Sequence, residues 1–284
     1  MHKSAPVFSR AGRLPRTTHP LLLSLVCGLA LLLAAVGGPA RAETGETFLS
    51  TFDDLQSDNW YISNFTIKRP DFRTAWRKTG VTRPEGLDGP VMLSLLPAPP
   101  EADKDFLGAE IQHTRTTHYG RYEVVMQAAR GEGVISSFFT YTGPHFGDPH
   151  DEIDFEFLGR DTTKVWVTRF ADGARLPGRW IDLGFDAADG MHLYAFDWLP
   201  DRIVWYVDGV EIFRVTSEET TLPVTPGRIY INIWGGGPGQ KNWSGNAPDD
   251  TQAQALYRCI SFRPLGAEGT TCSDIWPEEK AADG

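Results

Sequence analysis

From residue 47 onward the hydrophobic positions fall in short runs rather than long helical stripes. Val91–Leu96, Tyr122–Met126, Val134–Thr140, Lys164–Phe170, His192–Trp198, Ile203–Val207, Glu211–Val215 and Arg228–Trp234 are rich in Val, Ile, Phe, Tyr and Trp, with Gly, Pro and Asp between them. Runs of this kind predict β-strands. Asp208-Gly209, set between two alternating runs, predicts a two-residue hairpin turn, and Pro200-Asp201 turns the chain just before it. No window sustains a 3.6-residue apolar period over the length of a helix, and no repeat of fixed length occurs. With no Ser- or Pro-rich linker, the pattern predicts one all-β domain over 43–284, an antiparallel β-sandwich or jelly roll.

The first forty-two residues break this pattern. Lys3, Arg10, Arg13 and Arg16 lead into the largely apolar stretch Leu21–Val36, and Ala40 and Ala42 form an A-x-A cleavage pattern. A secretory signal peptide over 1–42 is expected, with the mature chain starting at Glu43. The competing reading is an uncleaved anchor, but sixteen residues fall short of the roughly 20 that span a bilayer. The mature protein is expected to be secreted or periplasmic, monomeric and not inserted in a membrane.

Composition changes the picture in one respect. The whole chain has 284 residues, 27 Lys plus Arg against 37 Asp plus Glu, and a net charge of −10. Residues 1–42 contain five bases and no acid, so 43–284 carries 22 bases against 37 acids, a net −15. Such a balance excludes a protein built to coat nucleic acid. At 41% hydrophobic and 23% charged the chain is also not a disordered polymer. Cys27 leaves with the leader, and the two cysteines that remain, Cys259 and Cys272, are expected to pair in an oxidising compartment. Closing that loop contributes roughly 3 kcal/mol; two free thiols are the alternative.

Candidate chemistry concentrates in His150-Asp151-Glu152-Ile153-Asp154-Phe155-Glu156-Phe157-Leu158-Gly159. Side chains alternate along a strand, so Glu152, Asp154 and Glu156 share one face while Ile153, Phe155 and Phe157 take the core face. Three like charges with no interleaved cation repel, and some of them must hold a proton near neutral pH. A proton-bearing carboxyl beside an ionised one is what glycoside hydrolysis requires, with the pair about 5–5.5 Å apart in retaining enzymes. Four residues span roughly 13 Å of extended chain, so this use demands a concave sheet. A charged edge strand and a calcium site are the other readings, though calcium ligands normally come from loops. Trp234 and Trp243 flank the Gly-rich stretch Gly235–Gly239, and their rings suit either sugar stacking or turn packing.

Ser136–Pro144, Asp151–Gly159 and Asp161–Val165 together resemble glycoside hydrolase family 16, in particular its bacterial lichenases (endo-β-1,3-1,4-glucanases) and related endoglycanases that trim exopolysaccharide. The likeness continues through Phe52-Asp53, Trp60, Trp76-Arg77, Leu183–Asp186, Tyr194–Trp198, Trp205–Gly209 and Asn232–Trp234. The resemblance implies a curved β-jelly roll of the concanavalin A type with the cleft on its concave face. It also implies Glu152 as nucleophile, Asp154 as its assistant and Glu156 as acid/base. Glu110, Trp234 and Trp243 would bind sugar, and a polysaccharide would be the substrate. No cofactor is implied, and on a structural calcium the sequence is silent. A non-hydrolytic lectin-like module and a transglycosylase are the alternatives.

The chain departs from the lichenases at substrate-facing positions. Lys68-Arg69 stands where they carry Asn-Gly, and Arg73 replaces an asparagine. Thr168-Arg169 takes the place of an Asn-Tyr pair, Gln112 that of an arginine, and His150 that of a tryptophan, though His150 is similar to the exopolysaccharide-trimming relatives. If Lys68, Arg69, Arg73 and Arg169 face the cleft, the expected substrate is an acidic polysaccharide; solvent-facing loop charges are the other reading.

Overall fold

The computed structural model describes residues 45–70, 72–84 and 89–276, which places the expected leader and its cleavage site outside the described residues. Seventeen strands occur among the described residues, in two facing layers. The inner layer begins with β2 (Trp60–Ile62) and β6 (Phe106–His113), followed by β16 (Arg228–Gly235) and β8 (Val134–Thr142). It continues through β9 (Asp151–Leu158) to β10 (Lys164–Ala171), whose far edge pairs with β11 (Ala174–Arg175) and β12 (Arg179–Asp182).

In the outer layer, β17 (Ala253–Pro264) pairs on one side with β1 (Phe48–Ser50) and β5 (Val91–Pro97). The short β4 (Val81–Thr82) flanks β5. On its other side lie β7 (Gly120–Gln127), β13 (His192–Trp198), β14 (Arg202–Val207) and β15 (Val210–Thr216). The layers join where β5 meets β6 (Leu96↔Leu107), and β3 (Thr74–Trp76) runs parallel to β6.

The alternation along β9 decides which face is core. Ile153, Phe155 and Phe157 are fully buried, with Phe157 and Phe155 at 4.7 and 5.7 Å from the Tyr194 ring of β13. The outer layer also holds the inner backbone in place. Trp205 Nε1 donates to the Asp154 carbonyl at 3.2 Å, and the Tyr257 hydroxyl lies 3.1 and 3.0 Å from the carbonyls of Ser137 and Asn232. The β14–β15 hairpin turns at Asp208-Gly209 as its sequence predicts, both with positive φ (45° and 79°). Cys259 and Cys272 form a disulfide at the buried start of a helical turn over 272–276, which packs with Val125 and Trp276.

Candidate active site

The strand register builds the cleft floor in rows, because residues paired across strands share a face. One row reads Arg228–Tyr141–Glu152–Phe170–Arg175 from β16 to β11. The next reads Gln112–Tyr230–Phe139–Asp154–Thr168, and the third Glu110–Asn232–Ser137–Glu156–Trp166. The three carboxylates of β9 therefore stand side by side on the floor of a cleft of about 950 Å³. Its walls include Tyr61, Phe65, Phe72, Trp76 and Trp234, a largely aromatic trough.

Burial and mutual repulsion set the proton distribution. Desolvation, followed by the negative charges of Glu152 and Glu156, raises the Asp154 carboxyl well above its ordinary value of 3.8. Desolvation, followed by the Glu152 charge, pushes Glu156 up to about 8, with Arg175 pulling the other way. A protonated Asp154 hydrogen-bonds Glu152, and His150 Nε2 lies 2.5 Å from Glu152 Oε2. Glu152 is thus oriented from two sides, and Glu156 beyond Asp154 keeps its proton through neutral pH.

Glu110 forms a second buried polar cluster on the same floor. It accepts hydrogen bonds from Ser63 Oγ (2.7 Å), Gln112 Nε2 (3.1 Å) and Asn232 Nδ2 (3.4 Å), and burial raises its pKa despite these donors. Gln112 supplies a neutral amide to this cluster, with no cation of its own. Among the described residues no group of His, Cys, Asp or Glu is arranged to hold a metal ion.

The chain matches the family model "Glycosyl hydrolases family 16" over residues 70–255. The chain belongs to glycosyl hydrolase family 16. A Bacillus subtilis beta-glucanase is 42% identical to it over 242 residues, covering 85% of this chain and 96% of the relative. A Paenibacillus macerans beta-glucanase is 45% identical over 221 residues, 78% of this chain and 90% of the relative. Among solved structures, a β-1,3-1,4-glucanase (lichenase) from a mouse hindgut metagenome superposes with a TM-score of 0.71 at 38% identity, covering 78% of this chain and all of that one. The family 16 membership makes the protein a glycosidase, and the curved antiparallel fold expected from the sequence is the fold it has.

Within this family 16 cleft, several residues sit elsewhere than the sequence reading placed them. Arg169 pairs with Ile153 rather than a carboxylate, so strand parity turns it to the face opposite the cleft. There it is 3% exposed and donates to Thr220 Oγ1 and the Pro177 carbonyl. Arg73 is consumed as a clamp: it pairs with Asp105 and Asp249, both at 2.6 Å, donates to the Ala247 carbonyl and lies over the Phe106 ring. Lys68 and Arg69 are exposed on the loop after Ile67; that residue lines the cleft and they do not. Trp243 is also outside the lining, 6.3 Å from the Trp234 ring that it backs. His150 meets Glu152 and stacks on Phe170 at 4.3 Å, so its contact is with the carboxylate row rather than the open trough.

Two cations the sequence reading passed over do face the cleft side. Arg228 lines the trough with its guanidinium 4.5 Å from the Phe146 ring centre, and Arg175 closes the Glu152 row from the other end. Asp151 was also without an assigned role. It is 4% exposed on the core side of β9, accepting from the backbone N–H groups of Asp172 (2.7 Å), Val224 and Thr225 (both 2.8 Å). It thereby fixes the strand start next to Glu152. The signal for it was an acid at a position that alternation reserves for apolar side chains.

Proposed function

We propose that the protein is an exported endo-β-glycanase that cleaves internal β-glycosidic bonds with net retention of configuration. The observation that carries this reading is the Glu152–Asp154–Glu156 face on the floor of an open cleft, with the Glu156 proton held up to about 8. Ionised Glu152 attacks the anomeric carbon and forms an ester to the sugar as the bond to the leaving oxygen breaks. Glu156 gives its proton to that oxygen. In the second step Glu156, now a carboxylate, takes a proton from water; the resulting hydroxide equivalent breaks the ester and frees Glu152. Asp154 holds the charge and orientation of Glu152 between the steps.

The backbone substrate is a β-glucan-type polymer, in keeping with the beta-glucanase relatives. An acidic exopolysaccharide is the finer reading, now supported by Arg228 and Arg175 instead of Arg73 and Arg169. A digest panel tests it: the acidic polymer is expected to be cut faster than barley-type mixed-linkage glucan, with the difference shrinking at high salt. Faster cleavage of the neutral glucan contradicts it. Export after Ala42, with one chain as the working form, completes the proposal. Among the described residues no helix is long and apolar enough to cross a membrane. Enzyme recovered outside the cytoplasm is expected to begin at Glu43 on N-terminal sequencing; an intact leader on that fraction overturns the cleavage.

A further inference from the structure

The residues that line the trough come from β2, β3, β6, β16 and β8, their neighbouring loops and β9 itself, and none from β10, β11 or β12. The carboxylates therefore stand at one border of the trough rather than at its centre. An enzyme that cuts inside a polymer must hold sugar on both sides of the broken bond. One arm of the chain fills the trough, and the other has to cross β9 and lie over β10 and its partners.

What it meets there is aromatic. Trp166 is directly across from Glu156, and Trp180 directly across from Trp166. The two indoles are 5.0 Å apart and tilted by 58°. Trp180 packs against Trp166 yet is 41% exposed on a sheet-edge strand, so much of its ring surface is open to a ligand. Its neighbours on β12 confirm the direction it faces: Arg179 lies over Phe213 of the outer layer and Ile181 packs on the core, so Trp180 points to the cleft side. Gly178 passes so close to Trp166 that a Cβ there would fall 2.3 Å from the ring, which fixes the inner indole in place.

We propose that Trp180, backed by Trp166, is a sugar-stacking platform for the leaving-group arm of the polysaccharide. This rests on the glycanase reading above. The deep trough, with Glu110, Asn232 and Gln112, suits the sugar that stays bound through the covalent intermediate. The shallow, exposed edge suits the arm that must depart between the two steps. Two strand spacings separate Trp180 from β9, about 10 Å, so a group reaching only one sugar past the bond does not contact it.

The test compares a β-glucan polymer with a short aryl β-oligoglucoside, whose only group beyond the bond is the aryl ring. In Trp180→Ala the polymer-to-aryl ratio of kcat/KM is expected to fall about tenfold, as loss of an aromatic contact implies. Trp180→Phe is expected to recover most of that ratio. An unchanged ratio in Trp180→Ala overturns the platform, as does a Phe variant no better than Ala. A change in oligomeric state at unchanged ratio also overturns it, assigning Trp180 to contact between two copies of the chain. A wild-type enzyme inactive on both substrates removes the glycanase reading instead, so the two failures are separable.

Discussion

Replacing Glu156 by Gln is expected to lower kcat/KM on polysaccharide by roughly 10² to 10⁴ and to abolish the alkaline limb of the pH profile. In the wild type that limb should fall near 8, where Glu156 gives up its proton, and the rate should drop tenfold for each further pH unit. The amide cannot protonate a leaving oxygen at any pH. Aryl glycosides with good leaving groups need little protonation and should lose far less in the first step. Equal losses on both substrates, or an alkaline limb that persists in the variant, would remove Glu156 from the acid role.

The same substitution carries a stability signature of defined sign. The folded state raises the Glu156 pKa from 4.5 to about 8, so it retains a proton that the unfolded chain releases. The Glu156 contribution to stability is therefore fully present below about 4.5 and is lost as pH rises to about 8, beyond which it is constant. Burial gives Asp154 a shift of the same sign. Glu156→Gln removes this cost, so its Tm relative to wild type should climb between pH 4.5 and 8, by at least about 3 °C. A catalytic group that destabilises the fold near neutral pH is the expected trade for holding an acid against its own neighbours.

The parts of this protein governed by local alternation were legible in its sequence. The pleat period alone placed Glu152, Asp154 and Glu156 together, and the Asp208-Gly209 turn followed from the conformational preferences of two residues. Features that depend on register were not. β17 was hard to read because its pairing shifts between Tyr257 and Cys259, and the buried positions change phase there, from Ala253, Ala255 and Tyr257 to Ile260 and Phe262. The cations show the same limit. Arg169 was a cleft candidate because Thr168-Arg169 takes the place of the lichenase Asn-Tyr pair, yet it sits one residue out of phase with Thr168, and one residue is a change of face. Arg228 was findable, since it shares parity with Trp234 on one run; Arg175 was not, because its place beside Phe170 depends on the β10–β11 pairing. Arg73 needed partners more than thirty and more than one hundred and seventy residues away to reveal it as a clamp.

Glu152→Gln addresses the central claim, because every step of the proposed mechanism passes through an ester on that side chain. The amide is nearly isosteric, can keep a hydrogen bond to His150 and Asp154, and leaves the aromatic trough intact. What it removes is the negative charge that attacks. The variant should fold, bind β-glucan oligosaccharides with affinity close to that of the wild type, and turn over at least about 10⁴-fold more slowly. Parallel measurement of turnover and oligosaccharide binding in purified Glu152→Gln is the decisive experiment. Retained binding with hydrolysis abolished is the result this mechanism predicts; hydrolysis that survives the substitution would contradict it.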